Sequence, residues 1–140
     1  MRLRIIAAML TVVGLPVAAL ADDRSRPPLV QQVTVRLTEY QYAPARIELR
    51  KDRPVELRLV NEGKVLHEFV TDALVDTVVD VEGEGVVVAA RGLEELEIPA
   101  GSTVVLRFTP KEAGEFDFRC DAEAPVSHHD AGMKGSLTIR

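Results

Sequence analysis

The sequence predicts an all-β sandwich or barrel, and three observations carry that prediction. Apolar residues alternate with polar ones over short runs, the pattern of half-buried strands. Turn-forming Gly, Pro, Asn and Asp recur between those runs every several residues. Helical periodicity is almost absent.

The first stretch stands apart from that pattern. Met1 to Arg4 is short and basic, Ile5 to Leu20 is apolar apart from Thr11, and Ala19-Leu20-Ala21 is a small-residue exit. This three-part layout predicts a secretory signal peptide over residues 1–21, cleaved after Ala21. Gly14 and Pro16 break an apolar run already short for a bilayer span, so a retained membrane anchor is not expected. Residues 22–30 hold two prolines and several charges and read as a flexible lead-in. Residues 31–140 form the one expected domain.

Within that domain the strands follow in order. Val33, Val35 and Leu37 alternate with Thr34, Arg36 and Thr38. Ile47 and Leu49 form a second run, and Lys51 to Pro54 turns the chain. Val55, Leu57 and Leu59 form a third, closed by the turn signal Asn61 to Lys64. Leu66 to Thr71 is short and apolar-rich. Val75 to Val81 and Val86 to Ala90 are β-branched runs around Glu82 to Gly85, readable as a hairpin or an irregular excursion. Leu93 to Ile98 fits a strand or a short helical turn. Val104, Leu106 and Phe108 resume alternation after the turn at Pro99 to Ser102. Phe116, Phe118 and Cys120 form the next run, and Leu137 and Ile139 the last.

Composition narrows the function classes. Without residues 1–21 the chain has 15 basic and 22 acidic residues, a formal charge of −7. That charge repels nucleic acid and anionic lipid, and suits either a basic protein partner or plain solubility. There is no Trp, and Tyr40 and Tyr42 are the only tyrosines, so stacking recognition of bases or sugars is unsupported.

The single cysteine needs an explanation in an exported chain, where thiols usually pair. Alternation places Cys120 on the apolar face of Phe116 and Phe118, pointing inward at a strand end. The loop that follows contains His128, His129 and Met133. Each residue alone has an ordinary explanation: a core Met, a solvated His, an inert buried Cys. Together, thiolate, thioether and imidazole select copper, and a trigonal Cys and two His with a weak axial Met is the blue-copper arrangement. A second imidazole must come from elsewhere, and outside the loop the chain has only His67.

On these residues the chain resembles the cupredoxins, small blue copper proteins such as plastocyanin and azurin. Glu39-Tyr40-Gln41-Tyr42-Ala43-Pro44 with Ile47 is similar to the family's opening strand. Asn61, Gly63 and His67-Glu68-Phe69 are similar to its first ligand segment. Ile98 to Ser102, Phe108-Thr109-Pro110 and Gly114 to Cys120 resemble the approach to the Cys ligand, and Ala131 to Gly135 the axial-Met closure. All appear in the family's order over nearly the whole mature chain.

One departure stands out. Seven residues separate Cys120 from His128, and eight separate it from His129, more than in familiar members. Four residues lie between His128 and Met133, as in plastocyanin-type loops, and three between His129 and Met133, as in azurin. The Ala-Gly-Met sequence favours the first, so His128 is the expected ligand and His129 its alternative.

The resemblance implies a Greek-key β-sandwich binding one copper ion through His67, Cys120, His128 and Met133. It implies a periplasmic, monomeric one-electron carrier whose partner is a redox protein such as a cytochrome or oxidase. Copper tolerance, delivery or storage, with a copper-transfer partner, is the second expectation. An enzyme is not expected. One Cys cannot build a dinuclear copper centre, three His cannot supply additional catalytic coppers, and an inward Cys is poorly placed for hydrolysis.

Overall fold

The computed structural model describes residues 29–84 and 86–140. The expected signal peptide, and the lead-in up to residue 28, lie outside the described residues.

Eleven strands lie among the described residues: β1 (Gln31–Thr38), β2 (Gln41–Ala43), β3 (Arg46–Leu49), β4 (Val55–Asn61), β5 (His67–Thr71), β6 (Val78–Gly83), β7 (Val86–Arg91), β8 (Glu95–Ile98), β9 (Thr103–Phe108), β10 (Gly114–Arg119) and β11 (Lys134–Ile139). They form two sheets, one in the order β2-β1-β4-β9-β6-β7 and the other β3-β11-β10-β5-β8. The chain passes from one sheet to the other repeatedly, so neighbours in a sheet are often distant in sequence. The β1–β4 and β3–β11 pairs are parallel and the remaining pairs antiparallel.

Alternation along the strands sets the core. Val35 and Leu37 of β1, Leu57 and Leu59 of β4, and Leu106 of β9 are buried on the six-stranded sheet. Ile47, Leu49, Phe69, Phe118, Leu137 and Ile139 are buried on the five-stranded one. Each such side chain contributes on the order of 2 kcal/mol by leaving water. The charged residues between them face out, as the period of two requires.

The two ambiguous stretches resolve simply. The run after Val75 becomes the β6–β7 hairpin, paired from Val78↔Arg91 to Gly83↔Val86. Leu93 to Ile98 yields strand β8, which pairs with β5 through His67↔Ile98. A 3₁₀ turn at Asp72–Leu74 has no counterpart in the sequence pattern, since three residues are too few to show a period. It starts at Thr71, whose hydroxyl accepts the Ala73 N–H at 3.3 Å.

One end of the sandwich is tied from both sheets. Tyr42 of β2 packs edge-on against Phe69 and Phe118, with ring centroids 6.4 and 5.0 Å away. Its hydroxyl donates to the Glu68 carbonyl of β5 at 2.5 Å. This joins the two sheets beside the residues that follow His67 and precede Cys120.

Candidate metal centre

His67 is the first residue of β5 and points inward with Phe69 and Thr71. Cys120 directly follows β10 and continues the inward face of Phe118. The Glu68 N–H donates to Cys120 Sγ at 3.2 Å, so the backbone beside one candidate ligand holds the other.

The loop after Cys120 folds back on itself. The His128 N–H donates to the Ala122 carbonyl at 2.9 Å, and the Met133 N–H to the His128 carbonyl at 3.0 Å. The Cys120 N–H closes the loop on the Met133 carbonyl at 3.1 Å. Gly132, at φ +100, supplies the left-handed step that turns the chain into β11.

These constraints bring three donor atoms together. His128 Nδ1 lies 3.2 Å from His67 Nδ1 and 3.2 Å from Cys120 Sγ. All three side chains are fully buried. Met133 is also fully buried, at the point where the loop rejoins Cys120. His129 lies elsewhere: its side chain is 47% exposed, and its Nδ1 is 3.9 Å from Asp130 Oδ1.

The group suits a metal ion. His128 Nε2 is 3.0 Å from the Ala124 carbonyl, which can only accept, so Nε2 carries the proton and Nδ1 offers a lone pair. Burial pushes His67 below the usual imidazole range, with the neighbouring His128 ring acting in the same direction and Glu39 opposing. Its ring is therefore neutral, as a ligand must be. Burial pushes the Cys120 thiol up, while the N–H groups of Glu68 and Ala122 pull it down. A cation is what such a buried sulfur needs to exist as thiolate. The three donor atoms all lie within 4.8 Å of one another, close enough for one ion to reach all of them.

Comparison with known proteins agrees. A family model described as a cupredoxin-like domain matches residues 5–139. The chain belongs to the cupredoxin family. Its His67–Cys120–His128 group is placed to bind one copper ion. Among solved structures, auracyanin B is similar at a TM-score of 0.55 and 21% identity, over 83% of this chain and 92% of that one. The dithionite-reduced auracyanin of Roseiflexus castenholzii matches at 0.55 and 17%, over 79% and 97%. A multicopper oxidase from Campylobacter jejuni matches at 0.62 and 14%, over 92% of this chain. The chain spans about a third of that oxidase (34%), and the likeness is one of fold. A sequence comparison with the curated proteins finds no match.

Sequence reasoning does not single out three neighbours of the centre as site residues. The Tyr40 ring lies 4.7 Å from that of His128, tilted by 49°. Glu39 reaches the far side of His67. Asn61, buried at the end of β4, donates to the carbonyls of Val65 and Ile98 at 2.9 and 2.8 Å and accepts the Gly63 N–H at 2.9 Å. It thereby fixes the loop that delivers His67. Their only signal in the sequence is their place in segments resembling family strands and turns. Asn61→Ala removes three hydrogen bonds from a buried position and is expected to cost about 2 kcal/mol, read as a lower urea midpoint with an unchanged m-value. A midpoint equal to wild type would show that water replaces the amide.

Proposed function

We propose that this protein is a periplasmic type 1 copper protein that carries one electron at a time, with His67, Cys120, His128 and Met133 as ligands. The observation that carries the reading is the convergence of one sulfur and two imidazole nitrogens in a fully buried group. A buried donor set favours electron exchange with an outside partner over turnover of a substrate at the metal.

Bound copper would supply the one-electron couple. The chain's part is to keep the donor atoms in place in both oxidation states. Cys120 and His128 are held through the backbone of Met133 and Ala122, and His67 by the β5–β8 ladder. The Glu68 N–H places a donor on the sulfur, which tunes its electron density. Phe69 and Phe118, 5.2 Å apart, continue the same inward faces as His67 and Cys120 and keep water from the core below them.

The N-terminal export pattern and the acidic surface support a periplasmic address and a basic redox partner, such as a cytochrome. Among the described residues no helix is long and apolar enough to cross a membrane.

Visible and electron-paramagnetic-resonance spectra of the copper form test the reading. Wild type is expected to show an intense thiolate-to-copper band with reversible voltammetry. His128→Ala is expected to lose that band, and His129→Ala to keep it. Copper-loaded wild type without the band would falsify the proposal. Irreversible redox with ready copper transfer to another protein would indicate a copper handler instead.

A further inference from the structure

Resting on the copper reading of the centre, we propose that Glu39 is a positioning residue for His67. Its carboxylate takes the Nε2–H of the ring, presents Nδ1 to the metal position, and holds a negative charge that favours Cu(II) over Cu(I).

The first observation is an orphan. His67 Nε2 is buried and has no hydrogen-bond partner. A buried polar atom that has lost water without gaining a partner is destabilising, so its surroundings need an account. Glu39 Oε1 lies 3.9 Å away, about 1 Å beyond hydrogen-bond distance. The far nitrogen of a ligating imidazole commonly donates to a carboxylate or carbonyl, which fixes the tautomer and orients the ring. His128 has the Ala124 carbonyl in that role. His67 has Glu39.

The carboxylate is held there by the chain. Its Oε1 accepts the N–H of Lys64 and, at 3.3 Å, the N–H of Val65, both in the loop leading to β5. Two backbone N–H donors converging on one oxygen suit a carboxylate, which in its ionised form only accepts. Asn61 fixes the same loop through the Gly63 N–H.

Gly63 leaves the room this contact needs. A Cβ at that position would sit 2.6 Å from Glu39 Oε1, 2.9 Å from His67 Nε2 and 3.1 Å from Asn61 Oδ1. The first two are closer than real Cβ atoms come. Any side chain would force the carboxylate away from the ring, because the ring is fixed in β5 and Glu39 is the movable partner.

Two variants separate charge from support. Glu39→Gln retains an acceptor oxygen for Lys64 and Val65 and loses the charge. Gly63→Ala retains the charge and displaces it. Cu(II) and Cu(I) affinities are measured by chelator competition, and the midpoint potential by voltammetry. Glu39→Gln is expected to lose roughly tenfold in Cu(II) affinity relative to Cu(I), a potential raised by about 59 mV for a one-electron couple. Gly63→Ala is expected to move the same way. If Glu39→Gln lowers both affinities equally and leaves the potential in place, Glu39 only supports the loop and the proposal is overturned. A ratio within twofold of wild type overturns it as well. Wild type that takes up no copper removes the reading of the centre and the Glu39 role together. Wild type that binds copper beside an unshifted Glu39→Gln removes the Glu39 role alone.

Discussion

Cys120→Ser is expected to abolish the intense visible absorption of the copper form and to weaken copper binding by more than about 100-fold. Cys120 is the one sulfur that can become a thiolate in this chain. Its Sγ lies 3.2 Å from His128 Nδ1 and receives the Glu68 N–H. A serine hydroxyl is a hard oxygen donor that stays protonated, so it offers neither the soft ligand copper prefers nor a low-energy charge-transfer state. The fold should survive, because the smaller hydroxyl can still accept from Glu68 and the backbone bond to Met133 is untouched. The metal-free variant is expected to lose only about 1 kcal/mol. The absorption spectrum and a urea melt of the same preparation read the two effects separately. A variant that retains the band would place the chromophore elsewhere and remove Cys120 from the centre.

Much of this arrangement is legible in the amino-acid sequence, for a physical reason. Val35, Leu57, Leu106 and Phe118 announce their strands because one buried face imposes a period of two on the chain. Cys120 has an assignable direction because it continues the period of Phe116 and Phe118. The soft donors after it are legible because their chemistry is rare and they are close in sequence. Distant partners are another matter. His67 and His128 are 61 residues apart, and nothing local to either shows that their Nδ1 atoms meet at 3.2 Å. Glu39 shows this most clearly: it is an ordinary acid in a turn until the β4–β5 loop wraps its backbone N–H groups around it. Spacing ranks His128 above His129. The difference between a buried and a half-exposed imidazole arises from how residues 121–132 fold back on Ala122 and Met133, which spacing does not encode.

Gly135 belongs to the illegible part, and its replacement is expected to be strongly destabilising. In the sequence it is one glycine among nine. In β11 it pairs directly with Phe118 of β10. A Cβ built there would lie 2.2 Å from Phe118 Cζ and 2.5 Å from the Ala45 carbonyl oxygen. The ring cannot move aside cheaply, because Tyr42 and Phe69 pack against it at 5.0 and 5.2 Å. The carbonyl cannot either, because it accepts the Ser136 N–H that begins the β3–β11 pairing. Overpacking a core commonly costs about 1–3 kcal/mol, and a clash with backbone exceeds that range, so Gly135→Ala is expected to cost about 4 kcal/mol. A second substitution tests the cause. Phe118→Leu in the Gly135→Ala background frees space at one contact and leaves the other, so it should recover part of the loss. A double-mutant cycle then gives a favourable coupling of about 1–2 kcal/mol. Strict additivity would show that the Ala45 carbonyl alone carries the penalty. The same strain should reach the centre, since Gly135 is two residues from Met133 and its ring partner two from Cys120. Gly135→Ala protein that still folds is therefore expected to show a shifted charge-transfer band.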